Sequence, residues 1–503
     1  MLQSLYNSLF QHHIAVITTS ILVGITAKCL YELYINPLSR FPGPRHAAIS
    51  RIPNLYHTFK GDLNDWVSEL HSIYGTAVRV APNELSYSDP KAWKDIYGHA
   101  SGGKKATEKD TRFYGPSFNQ APDIIRATGA DHSRFRRNFS HAFSEKALRE
   151  QQPLMRHYVD MLITKLHTLT PAQGNSQTPV EIVRLYNLTT FDIMGDLTFG
   201  ESLNLLAGTG NDSWVSAIFI STKANALRRL GRYYTWAVHL TQQLIPQALK
   251  EMAASHYKAC QERVDRRIDP ATGINKPDIW GIVMNQKQEL RLSREEMYAN
   301  SQVFMVAGTE TTATALSGLT YYLLTNTDKL RTVVQEVRGS FQTSEDIDLV
   351  ALGQLRYLNA CIEEGLRVYP PVPVGLPRVA PDDGLVVCGE LIPGKTALSV
   401  NHWATYHDPA NFNRPDEFIP ERWISDDFAT DHKAALQPFS FGPRNCLGRN
   451  LAYSEIRLIL AKVLWHFDLG LAPESLGWDK QKTFAIWEKN KLMVYLKARA
   501  DVV

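Results

Sequence analysis

The sequence predicts a mainly helical protein with a small β component, in the α+β class. Long stretches with apolar residues at helical spacing cover much of the chain, at about residues 144–168, 180–200, 213–255, 294–325 and 449–466. The stretches typical of strands are short, at residues 77–80, 385–387, 397–400 and 492–496. They do not alternate with the helices, which disfavours a doubly wound nucleotide-binding fold.

The N-terminus differs in character from the rest of the 503 residues. An uninterrupted apolar run covers residues 14–27, and no Lys or Arg precedes it, whereas four follow closely: Lys28, Arg40, Arg45 and Arg51. By the positive-inside rule we expect residues 1–36 to form a membrane anchor and residues 37–503 to form one domain on the cytosolic side. A cleaved signal peptide, which normally has a basic start, and a helix lying in the membrane interface are the alternatives.

Composition excludes several classes of function. The formal net charge is only +3 and there is no long basic run, so nucleic acid is not an expected partner. The five cysteines are widely spread and form no C-x-x-C pair, which argues against a zinc knuckle or a dithiol redox site. Such sparse cysteines suit a reducing compartment.

Residues 389–396 read GELIPGKT and match the phosphate-loop pattern G-x-x-x-x-G-K-[ST]. A phosphate loop opens a helix, because the amides at the helix N-terminus bind the phosphates. Here a strand-like stretch follows Thr396, so we predict a β-turn at Pro393 and Gly394 between two short strands. The match is therefore interpreted as fortuitous.

Residues 439–448 read FSFGPRNCLG and match F-x-x-G-x-R-x-C-x-G at every fixed position. This stretch resembles the haem-binding loop of the cytochrome P-450 superfamily. Cys446 precedes a predicted helix whose N-terminal amides favour an anion, as a thiolate ligand of iron requires. The resemblance implies that Cys446 is the axial ligand of haem b, with Phe439, Arg444 and Gly448 also contacting the haem. A buried structural cysteine is the alternative.

Two further motifs stand where that superfamily has them. Glu364-x-x-Arg367 precedes a proline-rich segment, and residues 420–423 read PERW. Residues three apart share a helix face, so Glu364 and Arg367 can pair. The resemblance implies a structural triad of Glu364, Arg367 and Arg422 that holds the core around the haem.

A capping box at Ser293 and Glu296 opens a long predicted helix that contains the stretch AGTETT, residues 307–312. The resemblance places this helix across the distal face of the haem, with Glu310 and Thr311 relaying protons to the bound oxygen. The alternatives are a Thr311 hydroxyl bonded to the preceding turn and a Glu310 that only pairs at the surface.

The remaining site residues also follow from the resemblance. His132, Arg136 and Arg378 are expected to bind the haem propionates, and the alternative for each is a solvated surface charge. Residues expected around the substrate are Phe118, Ile124, Ile125, Phe304, Ala307, Val374 and Ile486, with ordinary core packing as the alternative.

The resulting hypothesis is a membrane-anchored haem-dependent monooxygenase that inserts one atom of O₂ into an apolar small molecule. Electrons are expected from NADPH through a separate reductase. Residues 34–44 read YINPLSRFPGP and resemble the same segment of microsomal enzymes of filamentous fungi, many of them in secondary-metabolite pathways. This resemblance implies the endoplasmic reticulum membrane as the location and fungal biosynthesis of a terpenoid, polyketide or alkaloid as the pathway. The alternatives are a haem-thiolate enzyme of the same fold that performs isomerisation, dehydration or peroxide chemistry, and a non-catalytic haem sensor.

Overall fold

A computed structural model of the chain describes residues 2–100, 105–170, 178–210, 225, 228–273, 276–286 and 290–499. In these ranges helices predominate, as predicted. The longer ones are Leu2–Leu30, Ile52–Lys60, Leu63–Tyr74, Gly129–Ser140, Glu145–Leu169, Ile182–Phe199, Gln247–Ile268, Arg294–Ala307, Glu310–Thr325, Thr327–Ser340, Arg356–Val368 and Arg449–His466. The shorter ones are Arg45–Ile49, Lys91–Tyr97, Thr111–Tyr114, Val238–Leu244, Ile279–Met284, Leu349–Gln354 and His402–Tyr406. Much of the helix predicted over 213–255 lies outside the described residues.

The strands form a small β component. They are β1 (Ala77–Ala81), β2 (Glu84–Tyr87), β3 (Glu108–Lys109), β4 (Val180–Glu181), β5 (Arg378–Val379), β6 (Leu385–Val387), β7 (Glu390–Ile392), β8 (Ala397–Val400), β9 (Phe467–Leu471) and β10 (Met493–Ala498). One sheet has the order β1-β2-β8-β5-β3 and another the order β4-β10-β9, while β6 and β7 form a hairpin. The predicted α+β class is confirmed.

The GELIPGKT stretch contains no helix start. Its first half forms β7, and β8 begins directly after Thr396. The connecting loop is closed by a hydrogen bond of 2.7 Å from the Thr396 hydroxyl to the carbonyl of Pro393. The predicted turn is confirmed, and the phosphate-loop interpretation has no structural support here.

The helix Ile182–Phe199 lies at the centre of the core. All its residues except Arg184 are buried. It packs against Glu145–Leu169 on one side and Glu310–Thr325 on another. Because a helix that is buried around its whole circumference needs neighbours on every side, this one organises the helical half of the domain.

The predicted long helix at residues 294–325 is interrupted. Its capping box at Ser293 and Glu296 forms as predicted, but the first helix ends at Ala307 and the second begins at Glu310. We refer to Arg294–Ala307 and Glu310–Thr325 together as the interrupted helix. At the break, a Cβ on Gly308 would come within 2.6 Å of Sδ of Met194, so no larger residue fits there without rearrangement.

The N-terminal helix Leu2–Leu30 continues into a π-helical turn, Tyr31–Ile35. Residues Phe10–Ile35 have a mean hydropathy of 1.8 and form the one helix among the described residues that is long and apolar enough to cross a membrane. The turn is attached to the domain because Arg79, on β1, donates hydrogen bonds of 2.7 Å to the backbone carbonyl and to the carboxylate of Glu32. This helix is compatible with a membrane anchor.

A buried polar cluster joins the helix Arg356–Val368 to the segment that leads to Cys446. The Glu364 carboxylate accepts bonds of 2.9 and 2.8 Å from Arg367 and one of 3.3 Å from Arg422. Asp431 pairs with the other side of Arg422, and all four side chains are at most 1% exposed. Asp431 is a fourth member that the triad motif did not indicate. Each charge in the cluster has a partner, as burial requires.

We predict that Glu364→Gln lowers the free energy of unfolding by about 3 kcal/mol, because it leaves two buried guanidinium groups with one carboxylate. Urea unfolding of the haem-loaded protein measures the change. The control is Glu390→Gln, which removes an exposed ion pair with Arg40 and should cost less than about 1 kcal/mol. Equal effects of the two substitutions would contradict a supporting role for the cluster.

Candidate functional site

The predicted site residues converge on one cavity, which we call the cysteine cavity. Its free space for water-sized molecules is about 330 Å³. Four parts of the chain form its walls, namely the loop 438–448 with the start of helix Arg449–His466, the interrupted helix at Phe304–Ala315, the segment 109–143, and the proline-rich segment from 366 to 376. Its lining is mostly apolar, with a few polar groups at defined places, as is typical of small-molecule sites.

The loop around Cys446 is held by its own backbone. The amide of Cys446 donates to the carbonyl of Phe439 at 2.8 Å. Gly442 has a φ of +72°, and a Cβ there would lie 2.0 Å from the carbonyl oxygen of Tyr97, so only glycine allows the turn. A Cβ on Gly448 would meet protein atoms only at 3.9 Å, because this residue borders the open cavity.

Cys446 lines the cavity, and its side chain is exposed. Burial raises the pKa of Cys446, although the amide of Gly448 and the charges of Arg136 and Arg449 act in the opposite direction. The expectation that Cys446 is a thiolate ligand therefore stays a prediction, because burial of the free cysteine opposes the favourable groups around it. A coordinating metal ion stabilises a thiolate directly and would reverse this balance.

One wall of the cavity carries an excess of positive charge. Lys109, His132, Arg136 and Arg444 all line it. Burial, together with the charges of Arg378 and Arg444, lowers the pKa of Lys109 well below its ordinary value. Burial and the charge of Arg444 likewise lower the pKa of His132 to about 4. These groups repel one another, so this wall suits a ligand with carboxylate groups, as the two propionates of a haem would be.

The protein itself satisfies these cations only partly. Arg136 donates a bond of 2.6 Å to the carbonyl of Asn445, which ties it to the cysteine loop. Arg444 donates to the carbonyl of Ala127 at 2.6 Å and to Glu108 at 2.9 Å. Arg378 is buried on β5 beside Lys109, and its Nε has no hydrogen-bond partner among the described residues. Arg378 stands behind the wall rather than in the lining.

Lys109 was missed by sequence reasoning because no motif includes it. It lies on β3, and its position is set by pairing with Arg378 on β5, 269 residues further along the chain. The pairing of β3 with β5 places Lys109 in the cationic wall and Arg378 directly beside it.

The break in the interrupted helix opens directly onto the cavity. Ala307, Gly308 and Thr311 line it there, together with Thr312. The Thr311 hydroxyl donates a hydrogen bond of 2.6 Å to the carbonyl of Ala307. The alternative of a Thr311 hydroxyl bonded to the preceding turn is therefore confirmed. A hydroxyl so placed keeps its oxygen available to accept a second hydrogen bond from a molecule in the cavity.

Glu310 points to a different environment and is not among the residues that line the cavity. Its carboxylate forms an ion pair with Lys489, and both side chains are 1% exposed. Thr314 bonds to both, at 3.3 Å from the Glu310 oxygen and 2.6 Å from Nζ of Lys489. Burial raises the pKa of Glu310 and lowers that of Lys489, while their mutual attraction opposes both shifts. The pair is buried, so the alternative of a surface pair is wrong.

Glu455 is a second residue that sequence reasoning missed. Its side chain is 1% exposed and lines the cavity, and neither carboxylate oxygen has a hydrogen-bond partner of good geometry among the described residues. Burial raises the pKa of Glu455 to about 8, so the carboxyl is mainly protonated at neutral pH. Helical spacing could have found it, because Gly448, Ala452 and Glu455 share a face of the helix that follows Cys446.

The expected substrate residues divide into two groups. Ile124, Ile125, Phe304 and Ala307 line the cysteine cavity. The others lie elsewhere, for three different reasons. Phe118 is 51% exposed and stacks on Tyr257. Val374 lines a second cavity, which is described below. Ile486 is half-buried in a turn, where its carbonyl accepts a hydrogen bond from the amide of Phe484.

The raised pKa of Glu455 gives a testable pH dependence. The unfolded chain ionises near the ordinary glutamate pKa, whereas the folded protein ionises only near 8, so this group destabilises the fold progressively as pH rises between those values. We predict that Glu455→Gln raises the melting temperature relative to the wild type, by an amount that grows from pH 5 to pH 8. Melting curves at several pH values measure it.

Glu150→Gln, at an exposed position, is the control and should show a difference that does not change with pH. A pH-independent difference for Glu455→Gln would mean that Glu455 is ionised in the folded protein.

Comparison with known proteins agrees with this site. The family described as Cytochrome P450 matches residues 42–495. Cytochrome P450 monooxygenase efuB of Hormonema carpetanum is 46% identical over 472 residues, which cover 93% of each chain. Cytochrome P450 monooxygenase astA of Talaromyces wortmannii is 42% identical over 475 residues, with 94% of each chain covered. Averantin hydroxylase of Dothistroma septosporum is 39% identical over 490 residues, which cover 95% of this chain and 90% of that protein.

Membership of this family implies a haem, O₂, a redox partner that donates electrons, and a small-molecule substrate. The cysteine, the cationic wall and the open side of Gly448 fit such a haem. The chain belongs to the cytochrome P450 family, and it is a monooxygenase, an oxidoreductase that incorporates oxygen from O₂.

Proposed function

We propose that this monooxygenase oxidises an apolar secondary metabolite, with Cys446 as the axial ligand of haem b. The observation that carries the proposal is the convergence of Cys446, the cationic wall and the break of the interrupted helix on one mainly apolar cavity. The relatives from several fungi, averantin hydroxylase among them, support a role in fungal secondary metabolism. Within it we propose a terpenoid, polyketide or alkaloid pathway.

In this proposal, Phe439 and Gly448 border the haem on the cysteine side. Arg136, Arg444 and His132 face the propionates, Lys109 joins them, and Arg378 adds charge from behind. Arginine suits this task because its planar guanidinium donates two parallel bonds to a carboxylate. The apolar wall formed by Ile124, Ile125, Phe304 and Ala307 would hold the substrate and exclude water.

When bound, a haem with a thiolate ligand supplies the chemistry of O₂ reduction and O–O cleavage. The overall reaction takes up substrate, O₂, two electrons and two protons, and it releases the oxygenated substrate and one water. The chain's own task is to deliver the two protons at the right place. Thr311 would hold a proton donor at its hydroxyl, and Glu310 would supply protons after exchanging its contact with Lys489.

Electrons would come from NADPH through a separate reductase. Residues 1–36 would anchor the enzyme in the endoplasmic reticulum membrane, and residues 37–503 would face the cytosol. The apolar helix over Phe10–Ile35 and the basic residues that follow it support this arrangement.

We predict that Cys446→Ser abolishes monooxygenase activity and removes the spectral signature of thiolate ligation in the reduced carbon monoxide complex, because an alcohol is a much weaker ligand than a thiolate. Difference spectra of the purified protein measure this. The control is Cys388→Ser, a half-buried cysteine away from the cavity, which should keep the wild-type spectrum. An unchanged spectrum in the Cys446 variant would contradict the assignment of the ligand.

We predict that Thr311→Ala keeps the haem spectrum and NADPH consumption but forms less product by about a hundredfold or more, with peroxide released instead, since general-acid delivery of protons typically contributes about 10²–10⁴ in rate. Product, peroxide and NADPH are measured together. Thr309→Ala is the control, because Thr309 is buried outside the cavity lining.

The alternatives predict other results in the same assay. An isomerase, dehydratase or peroxide-dependent enzyme would form product without NADPH. A non-catalytic haem sensor would form no product, and its Thr311→Ala variant would keep the full biological activity of the wild type.

A further inference from the structure

A second, smaller cavity lies beside a cluster of arginines, and we call it the arginine cavity. Its walls include Arg229 and Tyr233 of the helical segment 228–233, residues of the helix Ile52–Lys60, and Phe113 on the helix Thr111–Tyr114. Arg51 and Arg229 both line it, and Arg112 and Arg232 lie beside it.

Two of these arginines have their own carboxylates. Arg51 pairs with Glu84 and also donates a bond of 2.9 Å to Asn83. Arg112 forms two bonds of 2.9 Å with the carboxylate of Asp110. These two carboxylates are therefore already engaged.

The third, Arg232, has no carboxylate partner among the described residues, but neutral oxygens satisfy it. It donates to the carbonyls of Arg112 and Phe113 at 2.6 and 3.2 Å, and to the side chain of Asn225 at 3.1 Å.

Arg229 differs from Arg51, Arg112 and Arg232 in its hydrogen-bond partners. Its side chain is 6% exposed and lies over the ring of Phe113 at 3.9 Å. Among the described residues it forms no ion pair, and its Nε has no hydrogen-bond partner. Burial lowers the pKa of Arg229, and the charge of Glu84, which lines the same cavity and pairs with Arg51, opposes only part of this shift. A guanidinium keeps its charge in proteins, so it cannot avoid the cost of burial by losing a proton. A buried charge of this kind is strongly unfavourable unless an anion accompanies it.

The space beside Arg229 is small. It amounts to about 40 Å³ for water-sized molecules, compared with about 330 Å³ in the cysteine cavity. Since one water needs about 10–15 Å³ on this measure, the arginine cavity has room for a group the size of a carboxylate but not for a whole metabolite.

The two cavities share walls. Val374, Gly375 and Pro377 border the arginine cavity, while Val372 and Leu376 border the cysteine cavity. Phe113 and Tyr114 are neighbours on the helix Thr111–Tyr114. Phe113 lines the arginine cavity, and Tyr114 lines the cysteine cavity. Neighbouring residues of the same segments therefore line both cavities, so the two cavities adjoin.

We propose that Arg229 binds a carboxylate at one end of the substrate, so that this enzyme acts on apolar carboxylic acids. The inference rests on the proposed function for the remainder of the substrate and its oxidation. The acid group would enter the arginine cavity and pair with Arg229, and the apolar body would extend past the segment 371–377 toward the cysteine cavity. Arginine and carboxylate match in charge and in planar geometry.

The test compares acids with their methyl esters, which have nearly the same shape but no charge. Dodecanoate and abietate, each with its methyl ester, are titrated into the haem-loaded protein. Binding is read from the Soret band and, independently of haem chemistry, from the rise in melting temperature. In the wild type we expect at least one acid to bind about tenfold more tightly than its ester, because a charged hydrogen bond to a buried partner is lost in the ester.

The variant Arg229→Met should bind acid and ester equally. Arg228→Met is the matched control: Arg228 is adjacent and half-buried but does not line the arginine cavity, so this variant should keep the preference for the acid. Without added acid, Arg229→Met should melt at the same temperature as the wild type or higher, because it removes an uncompensated buried charge.

Two results would overturn the proposal. One is a wild type that responds equally to acid and ester in both pairs, including no response to either. The other is an Arg229→Met variant that melts well below the wild type, which would show that the protein itself satisfies this cation. Failure of the proposed monooxygenase function is separate, because it would appear as a missing thiolate spectrum or absent turnover in a protein that still distinguishes acid from ester by melting temperature.

Discussion

The cost of burying a charge without a partner distinguishes three regions of this molecule. In the cluster of Glu364, Arg367, Arg422 and Asp431, each charge has an opposite charge within the protein, so the cluster is complete as it stands. It connects the helix that borders the cavity to the segment leading to the cysteine loop. The other two regions are incomplete by the same criterion, and their unsatisfied charges indicate what each region binds.

At the cationic wall, the lowered pKa values of Lys109 and His132 reflect burial and mutual repulsion that the protein does not relieve. Two propionates would supply the missing negative charge. At Arg229, one guanidinium forms no ion pair among the described residues, and the adjoining space has the size of a carboxylate. In the proposed function the first region would hold the cofactor, and the second would orient the substrate.

Directly after the break in the interrupted helix, two residues that are adjacent in sequence have different surroundings. Thr311 faces the cavity, whereas Glu310 turns away to Lys489 in a buried ion pair. Successive helical residues point about 100° apart, and here that rotation directs Glu310 away from the cavity. Proton delivery through Glu310 therefore requires that its contact with Lys489 be exchangeable, which makes Lys489 part of the proposed relay.

The sequence by itself determined the α+β class, the positions of several long helices and short strands, the loop around Cys446 and the pairing of Glu364 with Arg367. These features depend on periodicity and on spacing between near neighbours in the chain. Only the tertiary structure decided that the long helix breaks at Gly308, that Glu310 meets Lys489, and that Lys109 and Arg229 carry buried charge. It also showed that Phe118, Val374 and Ile486 lie outside the cysteine cavity. The physical reason is that these outcomes depend on contacts between distant parts of the chain, and a local pattern carries no information about the partner that long-range packing supplies.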